Sequence, residues 1–200
     1  MNEYLRATEV IDWQHPEILR LARALASEPE PLLTARRCFE WVRDEIRHTY
    51  DYGLTQVTCR ASEVLEAGTG ICYAKSHLLA ALLRANSIPA GFCYQRLSLD
   101  DRGERFCLHG LNALFVPEIG WYRVDARGNK PEVDAQFCPP VERLAFRITT
   151  DQEADLPEIW PDPLPVVIEA LQSSPTCDRL WGRLPDILLV KNSLPDLPRS

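Results

Sequence analysis

Gly68-Thr-Gly-Ile-Cys72-Tyr-Ala-Lys-Ser-His-Leu-Leu-Ala-Ala-Leu-Leu-Arg-Ala-Asn86 is the stretch on which the fold turns. Ala74, Leu78, Ala81, Leu82 and Ala85 recur at helical spacing, and Pro89 forbids continuation, so the pattern predicts a helix over Cys72 to Asn86. The glycine-rich turn before it puts Cys72 in the first helical turn. Unpaired backbone N–H groups and the helix macrodipole favour negative charge there, which for a cysteine means the thiolate, its attacking form. Tyr73, His77 and Arg84 fall on the polar side of the helical wheel. His77 lies five residues on, too far round the helix to act on Cys72, and is read as non-catalytic.

Outward from this helix, strand-like runs follow: Ala90 to Leu99, Phe106 to Val116 and Trp121 to Val124, with Leu144 to Thr149 as a further strand. Asp100-Asp-Arg-Gly103 and Pro117-Glu-Ile-Gly120 carry the chemistry of turns between them. Upstream, Ile18, Leu21, Ala22 and Leu25 mark an amphipathic helix over Pro16 to Ala26. Leu32, Ala35, Phe39, Val42 and Ile46 mark a second over Leu32 to His48. An irregular stretch from Thr49 to Arg60, rich in Tyr and Thr, leads to a short helical turn at Ser62 to Glu66. The order of helices, a central helix, then an antiparallel sheet is an α+β pattern. From Asp155 onward eight prolines interrupt the apolar residues. We read residues 1–154 as the domain and 155–200 as a Pro-rich segment wrapping its surface, with at most a short helix over Val166 to Leu171 and a disordered end.

Composition narrows the classes of function. A net charge of −7, with no Lys/Arg run longer than Arg36–Arg37, argues against a nucleic-acid partner. No stretch approaches a membrane span, and Met1 to Trp13 lacks the apolar core of a signal peptide. Seven cysteines at irregular spacing show neither a zinc motif nor a disulfide framework. The expectation is a cytoplasmic protein with reduced thiols, six of them core fillers.

His109 and Asp125 change what Cys72 means. His109 lies on the Phe106–Val116 run, sharing a face with residues 111, 113 and 115. A thiolate needs such an imidazole to stabilise it and to protonate a leaving amine. Trp121-Tyr-Arg-Val-Asp125 ends the next run, where a carboxylate orients the imidazole, provided the register holds; a one-residue slip turns Asp125 to the wrong face. An oxyanion needs donors: the Cys72 backbone N–H is one, and Gln56 and Asn112 are candidates for a second. His15 and His48 are read as structural, His48 as a helix-end residue. Arg127 and Asn129 are read as exposed turn residues.

These motifs together resemble the transglutaminase-like superfamily, over about residues 57 to 128. The Gly-x-Gly-x-Cys turn matches Gly68-Thr-Gly70-Ile-Cys72, and the helix closes on Ile88-Pro89-Ala90. His109 through Pro117, Gly120-Trp121 and Asp125 match the histidine and aspartate motifs. Gly110-Leu111 and Ala126-Arg127 depart from the family's usual Ala-Trp and Pro-Thr. The resemblance implies a papain-like arrangement, with the N-terminal helices and the central Cys-bearing helix packed on an antiparallel sheet. It implies a Cys72–His109–Asp125 triad acting on amide or peptide bonds through a thioester acyl-enzyme, without metal or organic cofactor. The partner is then a peptide or protein substrate. Hydrolysis is favoured because water needs no acceptor site. Transamidation to an amine is the alternative, and a non-catalytic binding or scaffold module keeping the fold is a third reading.

Overall fold

Prolines open three of the helices, at the first position where a missing N–H costs nothing. The computed structural model describes residues 1–27, 29–100 and 103–189. In chain order these form a 3-10 turn at Asn2–Tyr4, α1 (Pro16–Leu25), α2 (Pro31–Glu45), β1 (Arg47–His48), α3 (Ala61–Ala67) and β2 (Thr69–Gly70). Then come α4 (Cys72–Ala85), β3 (Ala90–Ser98), β4 (Phe106–Val116), β5 (Gly120–Val124), β6 (Gln136–Cys138), β7 (Val141–Arg143), β8 (Ala154–Asp155), α5 (Pro165–Ser173) and α6 (Cys177–Trp181). Residues 101–102 of the expected turn and the chain end expected to be disordered lie outside the described residues.

The main sheet runs β5-β4-β3-β8, antiparallel throughout. β4 and β5 are joined by a three-residue loop, and Gly120 takes the left-handed backbone (φ +76°) that returns the chain. The register pairs Asn112 with Val124. Counting one residue further puts Asp125 opposite Leu111, on the face that alternation gives to His109.

α4 packs against β4 on one side and against α1, α2 and α3 on the others. It is therefore buried all round, which corrects the expected polar side. Tyr73, His77 and Arg84 are all buried, because each polar end finds a backbone partner. The Tyr73 hydroxyl donates to the Leu108 carbonyl, and His77 Nδ1 lies 2.7 Å from the Cys59 carbonyl. Arg84 donates to the carbonyls of Ala90, Arg6 and Pro161. Gly110 permits the close approach of β4 to this helix: a Cβ there would lie 2.7 Å from Tyr73 Cδ1.

Three further expectations are corrected. α2 ends at Glu45 rather than His48, because Ile46 turns extended and lets Arg47–His48 pair in parallel with Thr69–Gly70. Leu144 to Thr149 is not a strand; β6 and β7 pair with each other just before it, and the segment's backbone is then bonded to the side chains of Asp125 and Gln95. The helix read as short over Val166 to Leu171 spans nine residues as α5. The boundary expected at 154/155 falls inside β8. Beyond it, Trp160 bridges Phe92 through both backbone bonds (2.7 and 2.8 Å), and Val167, Leu171, Cys177 and Leu180 join the same core as α4.

Candidate active site

Ile71 is extended and no side chain caps α4, so the first-turn N–H groups have no capping side chain, and Ile71 and Cys72 line the cleft. Cys72, the first residue of that turn, is half-buried. Its carbonyl accepts from Ser76 Oγ (2.8 Å), which fixes the turn. Its thiol lies near enough to the His109 imidazole to help raise that ring's proton affinity. His109 Nε2 donates to Asp125 Oδ2 at 2.7 Å, so Nδ1 is the ring nitrogen that the carboxylate does not take. The histidine is 5% exposed and the aspartate 1%.

Asp125 is held by more than the imidazole. Ala145 N–H donates to Oδ2 and Arg127 N–H to Oδ1, both at 3.1 Å. Burial alone would raise this carboxyl, but the His109 charge and these hydrogen bonds outweigh it and hold it below the usual carboxylate range. For His109 burial pulls downward; the charges of Asp125 and Cys72, and hydrogen bonds to both, more than reverse this and hold the imidazole well above its ordinary value. Phe146 covers the pair, its ring edge-on to His109 at 5.0 Å and 87°.

The cleft around Cys72 has a volume of about 1240 Å³. Tyr50, Trp181 and Leu184 form one wall; Gln95, Phe146 and Arg127 lie on another side. Tyr50 is fixed by its hydroxyl on the Cys177 carbonyl (2.5 Å) and by the Trp181 ring at 4.5 Å. Gln95 faces His109 across the β3–β4 register and donates to the Phe146 carbonyl (3.3 Å) and to Asp155 (3.0 Å).

The structure thus brings Cys72, His109 and Asp125 together. It does not bring the two side-chain oxyanion candidates to them. Asn112 is fully buried under α4, its amide spent on the carbonyls of Ser76 (3.1 Å) and Gly91 (3.2 Å). Gln56 is exposed and does not line the cleft. Arg127 is not the exposed turn residue expected: it is buried, and its guanidinium grips Asp51 at 2.6 and 3.0 Å. Asn129 is exposed, bonding Ala135 in the turn. His15 is exposed at the start of α1. His48 lines the cleft instead of ending a helix. Phe146 and Arg127 act through contacts distant in sequence, and no local pattern marks them. Tyr50, in the Tyr- and Thr-rich stretch read as irregular, and His48, read as a helix end just before it, were a usable signal for the cleft wall.

Residues 20–126, more than half of the chain, match the transglutaminase-like superfamily. The chain belongs to that superfamily. Solved structures similar to this transglutaminase-like chain include a candidate cysteine protease of Cytophaga hutchinsonii (TM-score 0.49, 19% identity, 62% of this chain and 40% of that one). Another is the periplasmic domain of TgpA from Pseudomonas aeruginosa (TM-score 0.45, 20% identity, 62% of this chain and 45% of that one). The chain spans less than half the length of either. No curated protein matches the chain. Among the described residues no helix is long and apolar enough to cross a membrane, and no group of three His, Cys, Asp or Glu side chains is arranged to hold a metal ion.

Proposed function

We propose that this protein is a thiol acyl-transfer enzyme that hydrolyses amide or peptide bonds. The observation that carries the reading is His109 held between Asp125 and Cys72, with its proton affinity raised by both. Such an imidazole is protonated at neutral pH and stabilises a thiolate beside it. The thiolate attacks the carbonyl carbon, and the C=O electron pair moves onto oxygen next to the Cys72 backbone N–H. Collapse expels the amine, which takes its proton from His109 and leaves a thioester on Cys72. His109, now neutral, accepts a proton from water as the water attacks; the acid is released and the thiolate–imidazolium pair returns. Asp125 keeps the ring in the tautomer with Nε2–H and balances its charge.

A cleft of about 1240 Å³ suits a polymer segment better than a small amide, so the substrate is a peptide or protein. The seven unpaired cysteines fit work in a reducing, cytoplasmic setting. Alkylation by iodoacetamide tests the nucleophile, with Cys72→Ser as the control and peptide mapping to assign the adduct. Faster labelling at position 72 than of a free thiol near neutral pH is expected; equal labelling sinks the reading. Screening peptide, isopeptide and glutamine-amide substrates with and without a primary amine then separates hydrolysis from transamidation.

A further inference from the structure

The cleft holds a second imidazole that the chemistry above leaves unused. His48 is the last residue of β1, and the parallel register sets it opposite Gly70, two residues before Cys72. Thr49 N–H continues the pairing onto the Gly70 carbonyl at 3.3 Å. The His48 side chain lines the same cleft as Cys72 and His109 yet is only 7% exposed. Its Nδ1 is sealed from solvent without a hydrogen bond. The nearest carboxylate, Asp51, stands 3.5 Å away and is already occupied by Arg127 and by Lys130 at 2.8 Å. Nε2 also has no hydrogen-bond partner among the described residues, but unlike Nδ1 it is not sealed from solvent. The ring is kept in place beside Tyr50, 6.1 Å between centroids.

With Nδ1 sealed in the protein and His48 lining the cleft, Nε2 is the ring nitrogen left to meet a ligand atom. Burial and the positive charges of Arg127, Lys75 and His109 outweigh Asp51 and push His48 down to about 3, so the imidazole is neutral and carries one N–H. The helix start offers the Cys72 N–H to a developing oxyanion. Gln56 and Asn112 lie elsewhere, and His48 sits at the strand pair that leads into Cys72. We propose that His48 is the second oxyanion donor, its Nε2–H accepted by the carbonyl oxygen of the acyl group on Cys72. This rests on the thiol-acylation reading above. No proton is transferred: the hydrogen bond tightens as the carbon becomes tetrahedral and relaxes when the thioester forms.

The test is acylation of the full chain by p-nitrophenyl acetate, following p-nitrophenolate release by stopped flow and acetyl-Cys72 by mass spectrometry. Wild type, His48→Phe and His48→Gln are compared, because glutamine places an amide N–H near the position of Nε2. Phenylalanine is expected to slow acylation roughly 10²–10³-fold, with glutamine recovering to within about tenfold of wild type. Alkylation of Cys72 by iodoacetamide forms no oxyanion and is expected to be equal in all three. Acylation of the Phe variant at the wild-type rate, or a Gln variant as slow as it, overturns the assignment. So does a parallel loss of alkylation, which marks a purely structural role at β1. A wild type that forms no acetyl-Cys72 overturns the acylation reading itself, and the assignment with it.

Discussion

Asp125 works through both of its oxygens, one bound to His109 and Ala145 N–H, the other to Arg127 N–H. Asparagine keeps the shape and removes the charge. Because the His109 imidazole is raised, its protonated form persists above the ordinary histidine range, and the pair is lost only as pH rises through the raised value. Asp125→Asn should therefore move the alkaline limb of the kcat/KM profile to lower pH and reduce kcat/KM by roughly 10²–10⁴-fold; a pH–rate series on both proteins checks it. Lys75 carries the opposite sign. It is fully buried, bound to the carbonyls of Arg43 and Ile46, and burial pushes it down to about 7. Between that value and the ordinary lysine range the unfolded chain holds more protons, so wild-type stability rises with pH across this window. Lys75→Met should raise Tm more at pH 6 than at pH 9, read by thermal unfolding at the two pH values. At this scale Cys72, His109 and Asp125 were legible because helix start, strand alternation and turn chemistry are local properties. Arg127 and Phe146 were not, since their roles come from Asp51 and His109, 76 and 37 residues away.

Where β4 meets α4, the two elements that carry His109 and Cys72 touch through their next residues. Gly110 leaves room for the Tyr73 ring, and any Cβ pushes against it and the Tyr73 backbone (3.4 Å to Cα). Gly110→Ala should cost about 1–3 kcal/mol in denaturant unfolding. It should also lower kcat more than KM, because it separates the sulfur from the imidazole; unchanged kcat with lost stability would show that the two elements adjust independently. The departure from the family's usual alanine after the histidine thus has a packing cause in this chain. The helix itself was readable to within a residue at its end. Its surroundings were not, since a helical wheel records polarity and says nothing of the carbonyls that Tyr73, His77 and Arg84 meet. The same holds for Leu144 to Thr149, whose apolar and β-branched residues suit a strand while its backbone serves Asp125 and Gln95.

Across the whole molecule, the proline-rich second part is tied into the first. Val167, Leu171, Cys177 and Leu180 fill the shared core, Arg96 grips Asp186 at 2.7 and 2.8 Å, and Tyr50 at the cleft wall rests on the Cys177 carbonyl. A chain ending after Asp155 should lose cooperative thermal unfolding, since removing four core side chains costs about 1.5–3 kcal/mol each; a Tm within a few degrees of wild type would refute it. Prolines made this segment look like surface wrapping, because they break helical periodicity without preventing the residues between them from packing. The helix under Cys72, enclosed on every side, bears on how the protein exchanges hydrogen with solvent. Its amides open only when the whole core opens, so in deuterated water they should be among the last to exchange. The segment at 144–149, held by few backbone bonds, should exchange early. Cys72 then sits on the slowest part of the chain, and the segment whose Phe146 covers His109 is the first to move.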